Sequence, residues 1–97
     1  MKVRLLPVAE RDLIEIDAWL TLERPTTARR VMTGLLDAVE QLEALPSSGP
    51  VARDPWLASR GFRVLIRGRY VIFYKLHRST VVIYRVLHQS RDWAGLL

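Results

Sequence analysis

The chain has 97 residues, 15 of them lysine or arginine and 10 aspartate or glutamate, for a net charge of +5, and it has no cysteine. That length bounds the answer to one domain, residues 1–97, near the small end for a self-supporting core, where a partner commonly contributes. The missing cysteine excludes a disulfide framework and thiolate metal sites, and no apolar run approaches the ~18 residues of a membrane helix.

The N-terminal stretch Met1 to Glu10 is too short in its apolar part for a secretion signal and runs into Glu10 and Arg11, so a cytoplasmic protein is expected. Val3 to Leu6 reads as a short strand ended by Pro7. Pro7 also suits a first helical turn, and Ala9, Leu13, Ile16 and Leu20 then recur at helical spacing up to about Glu23. Pro25-Thr26-Thr27 opens a second helix, with Ala28, Val31, Met32, Leu35, Val39, Leu42 and Leu45 as its stripe. Pro46-Ser47-Ser48-Gly49-Pro50 stops it. Two helices joined this closely predict an antiparallel hairpin, and Gly34 predicts a close approach of the second helix to the first.

Residues 46–60 read as a loop around Pro55-Trp56-Leu57. Three strands follow. In the first, Phe62, Val64 and Ile66 share one face, and Arg63, Leu65 and Arg67 the other. Gly68-Arg69 is a tight turn before the strand from Arg69 to Leu76. His77-Arg78-Ser79-Thr80 turns into Val81 to Leu87, whose apolarity predicts a central strand. Ser90-Arg91-Asp92-Trp93 reads as the start of a short terminal helix. This order predicts an α+β domain: an N-terminal strand, a helical hairpin on one face of a small, mainly antiparallel sheet of three to four strands, and a C-terminal helix. The opposite sheet face is left open except for the terminal residues.

The net charge hides a split. Residues 1–45 carry six basic and eight acidic side chains, −2, whereas residues 46–97 carry nine basic and two acidic, +7. Thirteen of the fifteen cations are arginine, which favours forked contacts with carboxylate or phosphate. A G·C-rich genome would also favour arginine codons, but codon bias does not explain the split. The basic half therefore points to an anionic partner.

Strand alternation offers Arg63 and Arg67 together on one face. Arg85 shares its face with Ile83 and Leu87, so it is either paired in a half-buried site or reaches a partner. His88 ends the last strand and either hydrogen-bonds locally to backbone or Asp92 or serves as an acid or base. Arg91 follows it, and Trp93 either packs or anchors a partner. His77 belongs to a solvated turn, and two histidines without an acidic pattern make no convincing metal site, so neither metal nor cofactor is expected.

Several segments, taken in order, carry a resemblance. They are Ala9-x-x-Asp12-Leu13-x-x-Ile16, Pro46-x-x-Gly49, Gly61-Phe62-Arg63, Tyr70-Val71-Ile72-Phe73-Tyr74 and Arg85-Val86-Leu87-His88-Gln89-Ser90-Arg91-Asp92. Together they span residues 3–93 and resemble the RelE/ParE superfamily of type II toxin–antitoxin toxins. The resemblance implies a growth-inhibiting, plasmid-stabilising type of toxin, neutralised by an antitoxin with an acidic amphipathic tail. The Asp12-Leu13-x-x-Ile16 and Arg85-Val86-Leu87-His88 segments look more like the ParE branch, which implies DNA gyrase as target and no favoured catalytic residue. Target or antitoxin contacts are then expected from Arg63, Arg67, Arg85, His88, Arg91 and Trp93. The first alternative is a RelE-like ribosome-dependent ribonuclease acting on mRNA through Arg63, Arg85 and His88. Ribonuclease members often place a tyrosine near the C-terminus, and here none follows Tyr84. The second alternative is a non-toxic module that only binds its antitoxin.

Overall fold

The computed structural model describes residues 1–93 and 95–97. Strand β1 (Lys2–Leu5) leads into helices α1 (Pro7–Glu23) and α2 (Pro25–Ala44). A loop with the short helix α3 (Pro55–Ser59) follows, then strands β2 (Arg63–Arg67), β3 (Tyr70–His77) and β4 (Thr80–His88). Proline opens all three helices, where its missing N–H costs nothing. Arg24 alone connects α1 to α2, and its N–H closes the last turn of α1 on the Leu20 carbonyl at 2.7 Å. Helix α3 lies within the stretch 46–60 that the sequence predicts to be loop. It is only five residues long, and its start is fixed by Asp54, whose side chain accepts from Leu57 N–H at 3.0 Å.

The sheet order is β1-β4-β3-β2, with β1 parallel to β4 and the other pairs antiparallel. The α+β architecture, the hairpin of helices and the central position of β4 agree with expectation. One core lies between helices and sheet. Ala9, Leu35, Ala38 and Leu42 meet Leu65, Tyr70, Ile72, Tyr74, Val81, Ile83 and Val86 there.

Three expectations are corrected. The second sheet face is covered by the terminal Trp93, Leu96 and Leu97, which the expectation allowed, but around them it is not open: Val71, Phe73 and Leu87 pack there with Ala52, Leu57 and Phe62. The strand itself carries the reason. Tyr70 to Tyr74 are five consecutive buried residues, so β3 is covered on both sides. The expected terminal helix is also absent over residues 90–93 and 95–97, which form isolated turns such as Leu96 N–H to the Trp93 carbonyl at 2.9 Å. Ala94, which that helix would have included, lies outside the described residues. Trp93, Leu96 and Leu97 instead lay their apolar side chains against the second core.

Gly34 is a third correction. A Cβ placed there meets nothing within 4 Å, so it marks no close helix contact. Gly34→Ala is therefore expected to stabilise the chain by about 0.5–1 kcal/mol through helix propensity alone, read as a rise in the urea midpoint. No helix among the described residues is long and apolar enough to cross a membrane.

Candidate partner-binding site

The cations of the basic half do not form one vacant sheet surface, as the charge split had suggested. They are distributed, and most have partners inside the chain. Arg85 is the most committed. The register shifts between Phe73, which faces Arg85, and Tyr74, which faces Ile83, so Tyr84 is the extra residue of a β-bulge. Strand β1 ends at Leu5, opposite Ile83, and Leu6 N–H makes the last bond to the Ile83 carbonyl at 3.0 Å. Beyond that point β4 would have a bare edge. Asp12 of α1 fills it: its Oδ2 accepts from Val86 N–H at 3.0 Å. The same carboxylate takes a forked contact from Arg85, Nε to Oδ2 at 2.7 Å and Nη2 to Oδ1 at 2.8 Å. Nη1 of Arg85 donates to the Leu96 carbonyl at 3.1 Å. Hydrogen bonding to Asp12 raises the guanidinium pKa above its ordinary value, so Arg85 stays charged.

Arg63 and Arg67 flank Leu65 on the face that the helices cover. Arg63 Nη1 donates to the Gly49 carbonyl at 2.7 Å. The Pro46–Gly49 segment is held from below by Tyr74, a fully buried residue. Its hydroxyl donates to the Pro46 carbonyl at 2.8 Å and accepts from Gly49 N–H at 3.0 Å. Burial pushes the Tyr74 and Tyr70 hydroxyls above their ordinary pKa. Arg67 donates to the Gln41 side chain of α2 and to the Ile66 carbonyl at 2.9 Å. Two other cations lie over rings: Arg60 is 4.4 Å from the Trp56 centroid and Lys75 is 4.5 Å from that of Phe62.

What remains open is a groove of about 500 Å³ where the α1–α2 junction faces the β2–β3 turn. Helix α1 contributes Trp19 and Leu20. The junction and α2 contribute Arg24, Thr27, Arg30, Val31 and Gly34, and the sheet supplies Arg67, Gly68, Arg69, Tyr70 and His88. The sheet wall is braced. Gly68 takes φ +57°, and Gln89 pins the turn through Nε2 to the Gly68 carbonyl at 2.7 Å and its N–H to the Arg69 carbonyl at 2.8 Å. The His88 ring stands edge-on to Tyr70, 5.3 Å between centroids. Its Nδ1 accepts from Ser90 N–H at 3.1 Å and lies 2.8 Å from Ser90 Oγ, which leaves Nε2 as the protonated nitrogen of the neutral ring.

Of the side chains singled out from the sequence, the groove gathers Arg67 and His88. Arg63 lies farther along β2 at the Gly49 loop, and Arg85 at the β4 edge on Asp12. Arg91 is exposed in the turn after β4, and Trp93 packs edge-on against Phe73 at 4.9 Å on the second face. Sequence reasoning missed Trp19, Arg24, Arg30 and Arg69. One signal was available. Arg24 caps the start of α2, no acidic residue lies in the first turn to offset the positive end of the helix dipole, and Arg29 and Arg30 follow in the second turn. A local rule broken in this way commonly marks a functional position. Among the described residues no group of His, Cys, Asp or Glu could hold a metal ion.

The comparisons agree with this architecture. A family model described as the ParE toxin of the type II toxin–antitoxin system parDE matches residues 3–93. The chain is 32% identical over 96 residues to "Putative toxin Y4kP" of Sinorhizobium fredii, covering 99% of this chain and 96% of that protein. It superposes with a TM-score of 0.74 on a chain of the chromosomal ParDE system of P. aeruginosa, covering 91% of this chain and 95% of that one, and at 18% identity this likeness speaks for the fold. On a chain of the toxin–antitoxin complex RelBE2 of Mycobacterium tuberculosis the TM-score is 0.59 at 29% identity, with coverage of 90% and 95%. The Asp12–Arg85 lock and the bulged β4 thus sit in a chain that belongs to the ParE toxin family of type II toxin–antitoxin systems.

Proposed function

We propose that the protein inhibits growth in the cytoplasm by binding DNA gyrase, without covalent chemistry of its own, and that a cognate antitoxin neutralises it. The observation that carries this reading is the separation of the three side chains a ribonuclease would need. Cleavage of RNA without a metal requires an acid, a base and cations converging on one phosphate. Arg63 lies opposite Tyr74 and His88 opposite Tyr70. Four residues of strand separate them, about 13 Å. The Arg85 guanidinium is taken up by Asp12 and the Leu96 carbonyl.

Purified components test this. With relaxed plasmid, ATP and gyrase, the protein is expected to abolish supercoiling, while mRNA translated on ribosomes stays intact. Cleavage of that mRNA in the ribosomal A site, lost in His88→Ala, would overturn the proposal in favour of a ribonuclease. Absence of any growth defect on induction would instead identify a module that only binds its antitoxin.

A further inference from the structure

One end of the second sheet face carries cations instead of a cover. Trp93, Leu96 and Leu97 pack with Val71, Phe73 and Leu87. Toward the β3–β4 turn the register sets two rows across three strands: Lys2, Thr80 and His77 are neighbours, as are Arg4, Val82 and Lys75. Neighbours across a ladder point to the same side. Val3, Leu5, Val81 and Ile83 point into the helix-side core, so the alternate residues of both rows point away from it. Lys2, Arg4 and His77 are exposed, and Lys75 is half-buried.

The charge there has one sign. No strand of the sheet contains an aspartate or glutamate, and Lys2, Arg4, Lys75 and Arg78 form no ion pair among the described residues. Arg78 extends the patch at the tip. It is the first of the two residues that turn β3 into β4, and it takes φ +57°, where such turns prefer glycine or asparagine. An arginine kept against that preference fits a surface selected for charge. Lys75 is held in place: its Nζ lies 4.5 Å from the Phe62 ring centroid and 5.0 Å from that of Tyr84. The ammonium keeps its N–H donors while it lies over both rings.

The shape selects among anionic partners. An acidic peptide needs pockets for apolar anchors, and the hollows that could seat them lie at the α1–α2 junction. A single strand needs open rings for its bases, but Phe62 is 2% exposed and Lys75 lies over Tyr84. A duplex keeps its bases inside and presents phosphates, which require only spaced cations. Strands β1 and β3 flank β4, so their cations stand two strand spacings apart, about 10 Å. Lys2 and Arg4 are about 7 Å apart along β1. With their long stems these side chains reach phosphates on both sides of a groove roughly 6–12 Å wide.

We infer that this end of the sheet binds the phosphate backbone of duplex DNA, without regard to sequence, through Lys2, Arg4, Lys75 and Arg78. The choice of DNA over duplex RNA rests on the gyrase reading above, because gyrase acts on DNA duplexes. The surface then engages gyrase where gyrase holds its substrate.

The test uses the full chain and a labelled duplex of about 24 base pairs, followed by fluorescence anisotropy from about 50 to 200 mM salt. Four phosphate contacts give a slope of about −3.6 for log Kobs against log salt, and two unrelated sequences are expected to bind alike. Lys2→Gln/Arg4→Gln is expected to weaken binding about tenfold at the low-salt end and to reduce the slope to about −1.8. Arg11→Glu, at an exposed position of α1, makes the same change in net charge and should leave the slope unchanged. A single strand of equal length is expected to bind about tenfold more weakly. Matching melting curves certify that the variants fold.

Failure of the duplex to bind at the low-salt end overturns the assignment. So does an unchanged slope in Lys2→Gln/Arg4→Gln, an equal loss in Arg11→Glu, or tighter binding of the single strand or of duplex RNA. A slope that falls in Arg24→Gln/Arg30→Gln but not in the sheet variant would move the contact to the groove and overturn it too. Gyrase is absent from this assay. DNA binding by a protein that leaves supercoiling untouched would therefore retain the surface and remove the target, and inhibition without DNA binding would do the reverse.

Discussion

Asp12→Ala is expected to lower the unfolding free energy by about 3 kcal/mol and to move the thermal midpoint down by more than 10 °C, measured by urea and heat denaturation. A domain of this size has about 5–15 kcal/mol in total, so the loss is a large share of it. The reasoning follows from what the carboxylate holds. It accepts the Val86 N–H that β1 no longer covers, and it takes both forks of Arg85, whose side chain is only 15% exposed. Removal leaves a donor without a partner and a poorly hydrated cation without a counter-charge. Asp12→Asn keeps an acceptor for Val86 but not the charge, and should cost about half as much. A double-mutant cycle with Arg85→Met is expected to give strong coupling between the two positions. Loss of toxicity in an Arg85 variant would then follow from lost stability, and independent effects at the two sites would contradict that account.

Gly49→Ala should destabilise by about 2–3 kcal/mol, against the opposite sign expected at Gly34. A Cβ at Gly49 would stand 2.5 Å from the Val64 carbonyl oxygen and 2.8 Å from the Tyr74 hydroxyl. Neither neighbour can yield cheaply. Val64 is held in the sheet and donates its N–H to the Pro50 carbonyl at 3.0 Å, and Tyr74 is fully buried. The shift would also strain the Arg63 contact to the Gly49 carbonyl. A melting curve equal to that of the parent chain would mean that the Pro46–Gly49 loop is looser than its hydrogen bonds indicate. The pair of glycines separates two causes. One adds a methyl group to open space on a helix and gains propensity, whereas the other adds it to a filled site and pushes atoms together.

The elements were legible in the sequence because each has a local cause. Proline marks Pro7 and Pro25 as helix starts, the stripe from Ala28 to Leu42 keeps a helical period, and Gly68 marks a turn. The covering of both sheet faces was also written in Tyr70 to Tyr74, an unbroken apolar run, but local alternation around the arginines pointed the other way. Arg63 and Arg67 do alternate with apolar neighbours, yet their long stems let them run out from beneath α2 to Gly49 and Gln41. Arg85 could not be placed from spacing, because a bulge resets the faces of β4 and the partner lies 73 residues away. The groove was least legible of all. Its walls come from three separated stretches of chain, and only the arginines crowding the start of α2 hinted at it.

The parallel pairing of β1 with β4 bears on when this molecule becomes a finished object. Lys2 lies beside Thr80, and Leu5 beside Ile83, so each of these neighbours is 78 positions away along the chain. Translation delivers residues in order, and the first strand must wait for the last one before it has anything to bond. The two helices emerge early but find no sheet to rest on. Closing so long a loop slows folding, and the sheet stays incomplete until β4 has been made. A nascent copy that has not yet delivered β4 therefore lacks a finished sheet, and an interval separates the birth of its first strand from the pairing of that strand.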